Sequence, residues 1–323
     1  MRISGKGTEM KVLVYGAGVL GSYLAHSLLR GGNNVSILAR GRRYEQLKED
    51  GIVIRHRFQR KNTVDAVNVI DKLQPEEHYD LIFVVMKYNQ FSSVLPILAE
   101  NISNNIVIVG NNADAANMQT FLNKNSKVKK NIAFGFQISG GRREENGRVI
   151  FIRGGGQMVI GSLDGDLSFK SILEKAFKEA KHKLSFNENI DGWLKSHFIP
   201  IIAMNSIHYI NNFDFKKIAK DKNALMQMIS VMDEGFMVLE KLGYRIDPAF
   251  QLNMVRNHRN FVYHGLRIFH KLQMAKFFEC SFSEIIALYE TFDELKKEAN
   301  ISTPNLDDLQ KRSTSKYRDE VNR

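Results

Sequence analysis

The run Gly16-Ala17-Gly18-Val19-Leu20-Gly21 constrains this chain more than any other stretch of it. It follows directly on an apolar segment at residues 12–15 and opens a helical pattern at 19–29. In that order, strand, glycine turn and helix make the opening unit of a dinucleotide fold. Gly16 permits the tight turn, Gly18 lets the backbone approach a diphosphate, and Gly21 lets the helix lie close on the strand. The helix end then presents N–H groups without intrahelical partners and a partial positive charge to the phosphates. Ala17, Val19 and Leu20 supply the backbone between the glycines.

The rest of the first half agrees with that opening. Short continuous apolar runs at 35–38, 81–86 and 106–109 suit parallel strands covered on both faces. Helical patterns lie between them at 44–49, 91–99 and 115–122. Strand patterns at 131–138, 148–152 and 157–160, joined by glycine-rich turns such as Gly154-Gly155-Gly156, predict an antiparallel extension. A helix at 167–180 and a strand at 183–186 follow, and from 191 to 299 the periodicity is almost wholly helical. The fold class expected is therefore α/β, an N-terminal Rossmann-type doubly wound sheet, plus an all-α C-terminal domain. Residues 1–9 read as an N-terminal extension, 10–187 as the dinucleotide-binding domain and 188–323 as a helical domain for substrate and dimerisation. The tail from Asp307 onward is polar and is expected to be a frayed helix or disordered. The active site is expected in a cleft between the domains, at the carboxyl ends of the strands.

The residue at the end of the second strand selects the cofactor. An NAD site places Asp or Glu there to accept the ribose hydroxyls. This chain has Arg40, with Arg42 and Arg43 behind it. A guanidinium cannot accept those bonds but pairs well with a 2′-phosphate, so the expected cofactor is NADP, as NADPH. The competing reading is a solvated basic turn.

Charge and composition narrow the partners. A formal net charge of +11 raises the question of nucleic acid, but the basic residues are spread along the chain without a recognition motif. A small anionic molecule is the more economical partner. The stretch holding Arg256, Arg259, Arg267, Lys271 and Lys276 with Phe261, Tyr263 and Phe269 reads as a helix with a charged outer side. A nucleic-acid face and a cationic substrate wall are its alternatives. His258, His264 and His270 recur every six residues, which does not gather them on one helix face, so no metal is expected. The single Cys280 cannot close an internal disulfide and fits a reducing compartment. No apolar run approaches the roughly 18 residues of a membrane span, and the N-terminus has no secretory signal. These readings place the protein in the cytoplasm, away from membranes.

Three further motifs carry a resemblance. The third buried strand ends in Val85-Met86-Lys87-Tyr88-Asn89-Gln90, the next in Val109-Gly110-Asn111-Asn112, and the helical half opens with Trp193-Leu194-Lys195. From Met10 to about Leu306, including Ile301-Ser302-Thr303-Pro304-Asn305, the chain resembles the ketopantoate reductases, which reduce a 2-oxo acid with NADPH on the route to pantothenate. The resemblance implies that Lys87 closes over the cofactor and that Asn111 lies beside nicotinamide and substrate. It further implies that Lys195 is the general acid, that Glu284 holds the substrate, and that a homodimer forms through helical surfaces. The residues alone leave other readings open. Lys87 could be an exposed lysine after a strand, Asn111 a turn residue, and Lys195 a solvated lysine on an amphipathic helix. Ser281 and Glu284 could form a capping box.

The departures fall in the substrate half. The family has asparagines four and eight residues after its lysine, where this chain has Ile199 and Ala203. Asn205 lies nearby as a substitute substrate contact, and Pro200 could bend the helix and change its register. The family's substrate serine falls at Leu272. The expected reaction is reduction of a small 2-oxo acid. The alternatives are a related NADPH reductase of another oxo compound and an NADPH sensor without turnover.

Overall fold

The continuous apolar runs become the middle of a sheet, because a strand covered on both faces has no position where a polar side chain could reach water. The computed structural model describes residues 9–57, 60–151, 156–277 and 281–322. The extension before Glu9, the first two glycines of the 154–156 triplet and Cys280 lie outside the described residues.

By its contacts the chain divides into two units, Met1–Gly110 with Ala115–Ile190, and Asn111–Asp114 with Asp191–Arg323. The first unit runs β1 (Lys11–Tyr15), α1 (Val19–Arg30), β2 (Asn34–Leu38), α2 (Arg42–Asp50), β3 (Ile52–His56), β4 (Lys61–Asp65), β5 (Asn68–Ile70) and β6 (Leu81–Val85). It continues through α3 (Phe91–Glu100), β7 (Asn105–Val109), α4 (Ala115–Asn125), β8 (Asn131–Gln137), β9 (Gly141–Arg143), β10 (Val149–Phe151), β11 (Gly156–Gly161), α5 (Lys170–Phe177) and β12 (His182–Phe186). One sheet has the order β12-β11-β8-β7-β6-β1-β2-β5. Its pairs are parallel except β8 with β11. Strand order reverses at β1, which lies between β2 and β6, and this is the switch point where such sheets take ligands.

The antiparallel extension is only partly as expected. Strand β11 does join β8 antiparallel, but β10 leaves that sheet and pairs parallel with β3. The result is a second sheet, β4-β3-β10-β9. Tyr23 of α1 stacks on Phe151 of β10 at 3.5 Å between ring centroids. Val12, Val14, Leu24, Leu28, Phe83, Val107, Ile160 and Leu173, all fully or almost fully buried, share the core that holds α1 and α5 on the large sheet.

The second unit is helical: α6 (Ile190–Ile210), α7 (Phe215–Ile218), α8 (Lys222–Lys241), α9 (Phe250–Asn257), α10 (Arg259–Lys271), α11 (Phe282–Ala299) and α12 (Pro304–Val321). Helix α6 runs unbroken through Pro200. The polar tail is not frayed. It forms α12, which buries Leu306, Leu309 and Ser313 and starts with Pro304 in its first turn. No helix among the described residues is long and apolar enough to cross a membrane.

Candidate active site

The glycine loop is shaped by close approach at two of its three glycines. A Cβ on Gly16, whose φ is +118°, would lie 2.3 Å from the Val85 carbonyl oxygen, so the turn passes directly over the end of β6. A Cβ on Gly21 would lie 1.9 Å from the Gly16 carbonyl oxygen. Gly18 differs: around its Cβ position nothing among the described residues lies within 4 Å. Two glycines are therefore fixed by packing, and the third faces open space at the N-cap of α1. The first turn of α1 has no acidic residue and Gly18 has no side chain to cap it. These features fit a bound diphosphate.

Three arginines of one turn have separate places. Arg40 follows β2, is exposed, and donates from Nη2 to the Tyr15 hydroxyl at 2.8 Å. Burial pushes the Tyr15 phenol up, with Arg40 opposing that shift. Arg42 is exposed at the start of α2. Arg43 turns inward. It donates to the Ala17 carbonyl at 3.2 Å, the Gly147 carbonyl at 2.8 Å and the Ser22 hydroxyl at 3.0 Å. Burial, with Arg143 nearby, lowers its pKa to about 10. Arg43 therefore braces the loop, and Arg40 and Arg42 are the exposed cations of the turn. Lys87 is exposed past β6, where its backbone N–H donates to the Gln90 side chain at 3.3 Å.

The helical unit holds the other candidates. Lys195 on α6 is only 3% exposed, which removes the solvated-lysine reading. Its ammonium pairs with Asp191 one turn earlier and lies 4.7 Å from the centroid of the Tyr244 ring. Asn111 and Glu284 are both buried, and the asparagine Nδ2 donates to the Glu284 carboxylate at 3.0 Å. Ser281 makes no side-chain cap to α11, so Glu284 belongs to that buried pair and not to a capping box. Asn205 is buried and donates back to the Ile201 carbonyl at 2.9 Å. Asp191 and Tyr244 were missed by sequence reasoning. Asp191 could have been found from its i, i+4 spacing to Lys195, whereas nothing local marks Tyr244.

Residues 12–165 match the family described as ketopantoate reductase PanE/ApbA. A 2-dehydropantoate 2-reductase of Archaeoglobus fulgidus is 24% identical over 246 residues, 76% of this chain and 79% of that protein. Over its dinucleotide half the chain is similar to the ketopantoate reductases. Its fold is that of a 2-dehydropantoate 2-reductase from Methylococcus capsulatus, with TM-score 0.71, 18% identity and coverage of 96% and 97% of the two chains. It is equally that of a D-mandelate dehydrogenase solved with NADH and anilino(oxo)acetate, with TM-score 0.76, 19% identity and coverage of 97% and 99%. The family and these relatives mark the chain as an oxidoreductase.

The remaining sequence-predicted residues lie in the helical half. Ile199 and Ala203 are fully buried, and Ile199 packs where a side chain on Gly235 of α8 would otherwise sit. Leu272 is 65% exposed at the C-cap of α10. Arg256 is paired with Asp233 and Glu240, and Arg259 with Asp233, so part of the basic stretch is already neutralised. His270 is buried against His208, with their Nε2 atoms 2.9 Å apart. Among the described residues no group of three His, Cys, Asp or Glu could hold a metal.

Proposed function

We propose that this protein reduces a small 2-oxo acid to the 2-hydroxy acid with NADPH, in the manner of a 2-dehydropantoate 2-reductase. The observation that carries this reading is Lys195. It is an ammonium 3% exposed, held by a carboxylate and an aromatic face. Withdrawn from water, such a cation acts strongly on charge that develops next to it. The nicotinamide, when bound, supplies the hydride. Lys195 would stabilise the carbonyl oxygen as it gains charge and then give it a proton. Asp191 fixes the direction of the ammonium. The glycine loop and α1 hold the diphosphate, Arg40 pairs with the 2′-phosphate, and Lys87 is placed to fold over the cofactor. Asn111 and Glu284 offer an amide and a carboxylate to substrate hydroxyl and carbonyl groups.

A second reading concerns the substrate. The positions that hold asparagines in the family are Ile199 and Ala203, both apolar and both in the core. The helix after Lys195 thus lacks two amides, which favours a 2-oxo acid other than 2-dehydropantoate itself. The fold shared with a dehydrogenase solved with anilino(oxo)acetate supports that choice of panel. The test is NADPH oxidation with 2-dehydropantoate, phenylglyoxylate and branched aliphatic 2-oxo acids. Turnover of any of them supports the reductase. Tight NADPH binding with no turnover of the whole panel would leave a sensor and sink the enzymatic reading.

A further inference from the structure

We infer that Gln137 and Ser139, at the carboxyl end of β8, form the binding site for the nicotinamide carboxamide, an inference that rests on the NADPH reading above. Gln137 is the last residue of β8 and is completely buried. Neither its Oε1 nor its Nε2 has a hydrogen-bond partner among the described residues. The Ser139 hydroxyl, two residues on, is likewise buried and unpartnered. The Ser139 N–H donates to the Gln137 carbonyl at 2.8 Å, so the chain turns tightly at the end of β8.

Buried polar atoms without partners are rare in native proteins, since each gives up water for nothing. Three of them within three residues therefore call for a ligand. The surroundings sharpen the case. Along β8, Gln137 shares its face with Ala133, and it pairs in register with Met158 of β11. Ala133 and Met158 are both fully buried in the apolar core, so the carboxamide ends an otherwise apolar face. An aliphatic residue would be the better choice there if packing were its only task.

The position in the sheet indicates what the site would bind. Gln137 ends a strand that runs parallel to β7, β6 and β1, so it lies on the carboxyl-end edge where this fold takes ligands. It stands three strand steps from β1, roughly 14 Å, on the side away from β2 and Arg40. A dinucleotide whose diphosphate lies on the Gly16–Gly21 loop and whose 2′-phosphate meets Arg40 must extend its nicotinamide half toward that side. A primary carboxamide has one carbonyl acceptor and an NH2 donor, the same inventory as glutamine. The two amides can thus exchange a reciprocal pair of hydrogen bonds, and the serine hydroxyl can serve the remaining lone pair or N–H.

The test compares full-length wild type with Gln137→Leu, measuring the binding of NADPH and of 2′-phospho-ADP-ribose, which lacks the nicotinamide. Thermal unfolding of both apo proteins runs alongside, and Gln137→Met serves as a second variant of similar volume. Loss of two neutral hydrogen bonds should weaken NADPH about tenfold or more, with 2′-phospho-ADP-ribose unchanged and the apo variants at least as stable as wild type. Unchanged NADPH affinity in both variants overturns the assignment. Equal weakening of the two ligands, or a lower apo melting temperature, makes Gln137 a structural residue and overturns it as well. A wild type that binds 2′-phospho-ADP-ribose but gains nothing from the nicotinamide also overturns it, whereas a wild type that binds neither ligand removes the cofactor reading beneath it.

Discussion

Arg43 donates from Nε to the carbonyl oxygen of Ala17 at 3.2 Å, so the middle of the glycine loop is tied to the first turn of the next helix. Arg40, three residues earlier, donates to the Tyr15 hydroxyl and is exposed to solvent. Two arginines of one basic turn thus have opposite jobs.

Their substitutions should separate accordingly. On the proposed NADPH reading, Arg40→Ala should weaken NADPH roughly 10- to 100-fold, the scale of a charge-assisted hydrogen bond, while NADH affinity stays the same. Arg43→Ala should weaken both cofactors together and lower the melting temperature, because the loop loses its brace. Fluorescence titration of each variant with each cofactor checks the pattern. Equal losses of NADPH and NADH in Arg40→Ala would move the phosphate contact to another residue.

Lys195 and Glu284 should differ in which kinetic constant they control. Lys195→Ala should lower kcat at least 100-fold, the scale of a general acid, with NADPH affinity nearly intact. Glu284→Ala leaves the buried Asn111 amide without its 3.0 Å acceptor, and a hydroxyl-bearing 2-oxo acid without the carboxylate that would accept from its hydroxyl. Its main effect should be on KM, with Glu284→Gln restoring part of it because the amide oxygen can still accept from Asn111. Steady-state kinetics on the best substrate of the panel decides. An unaltered kcat in Lys195→Ala would take that residue out of the chemistry.

Much of the dinucleotide half was legible because its signals are local. Strand β6 is five consecutive apolar residues, and the glycine spacing of the loop needs no distant partner to be read. The second sheet was not legible for the opposite reason. Strand β4, Lys61–Asp65, has one exposed valine among polar residues, and β3 finds its parallel neighbour β10 more than ninety positions away. Nor could the sequence tell which guanidinium points inward, since the acceptors of Arg43 lie 26 and 104 positions off. The buried pair Asn111–Glu284 spans 173 positions and was reached only through the family resemblance.

The misread tail has a specific cause, and it can be tested. Helix α12 shows little apolar surface, but its start is held from α8. Glu234 accepts from the Asn305 N–H at 3.1 Å, the Asn305 side chain at 2.6 Å and the Leu306 N–H at 2.8 Å. One buried carboxylate thus satisfies two of the N–H groups that a helix start leaves over. Glu234→Ala should destabilise the protein by about 2–3 kcal/mol, read as a lower urea midpoint. Amide exchange should accelerate first at the start of α12. Uniform acceleration across the helical unit would mean that the carboxylate supports the core and not this helix.

Acid should loosen the fold through histidines that are buried neutral. Burial lowers the pKa of His182 to about 4, and burial with His270 nearby lowers that of His208 to about 3, from an ordinary value near 6.5. Both rings titrate below their unfolded pKa, so the unfolded chain takes up protons first as the pH falls. Their contribution is therefore complete above pH 6.5 and is lost progressively between pH 6.5 and about 4, continuing to about 3 for His208. At pH 5 each ring costs up to about 2 kcal/mol. Urea midpoints from pH 7.5 to 4.5 should fall steadily, and His182→Phe should flatten that fall. The phenyl ring keeps the edge contact with Phe177, where the present centroids are 5.3 Å apart, and it has no nitrogen to protonate. A variant whose midpoint declines in parallel with wild type would show that the proton uptake resides elsewhere.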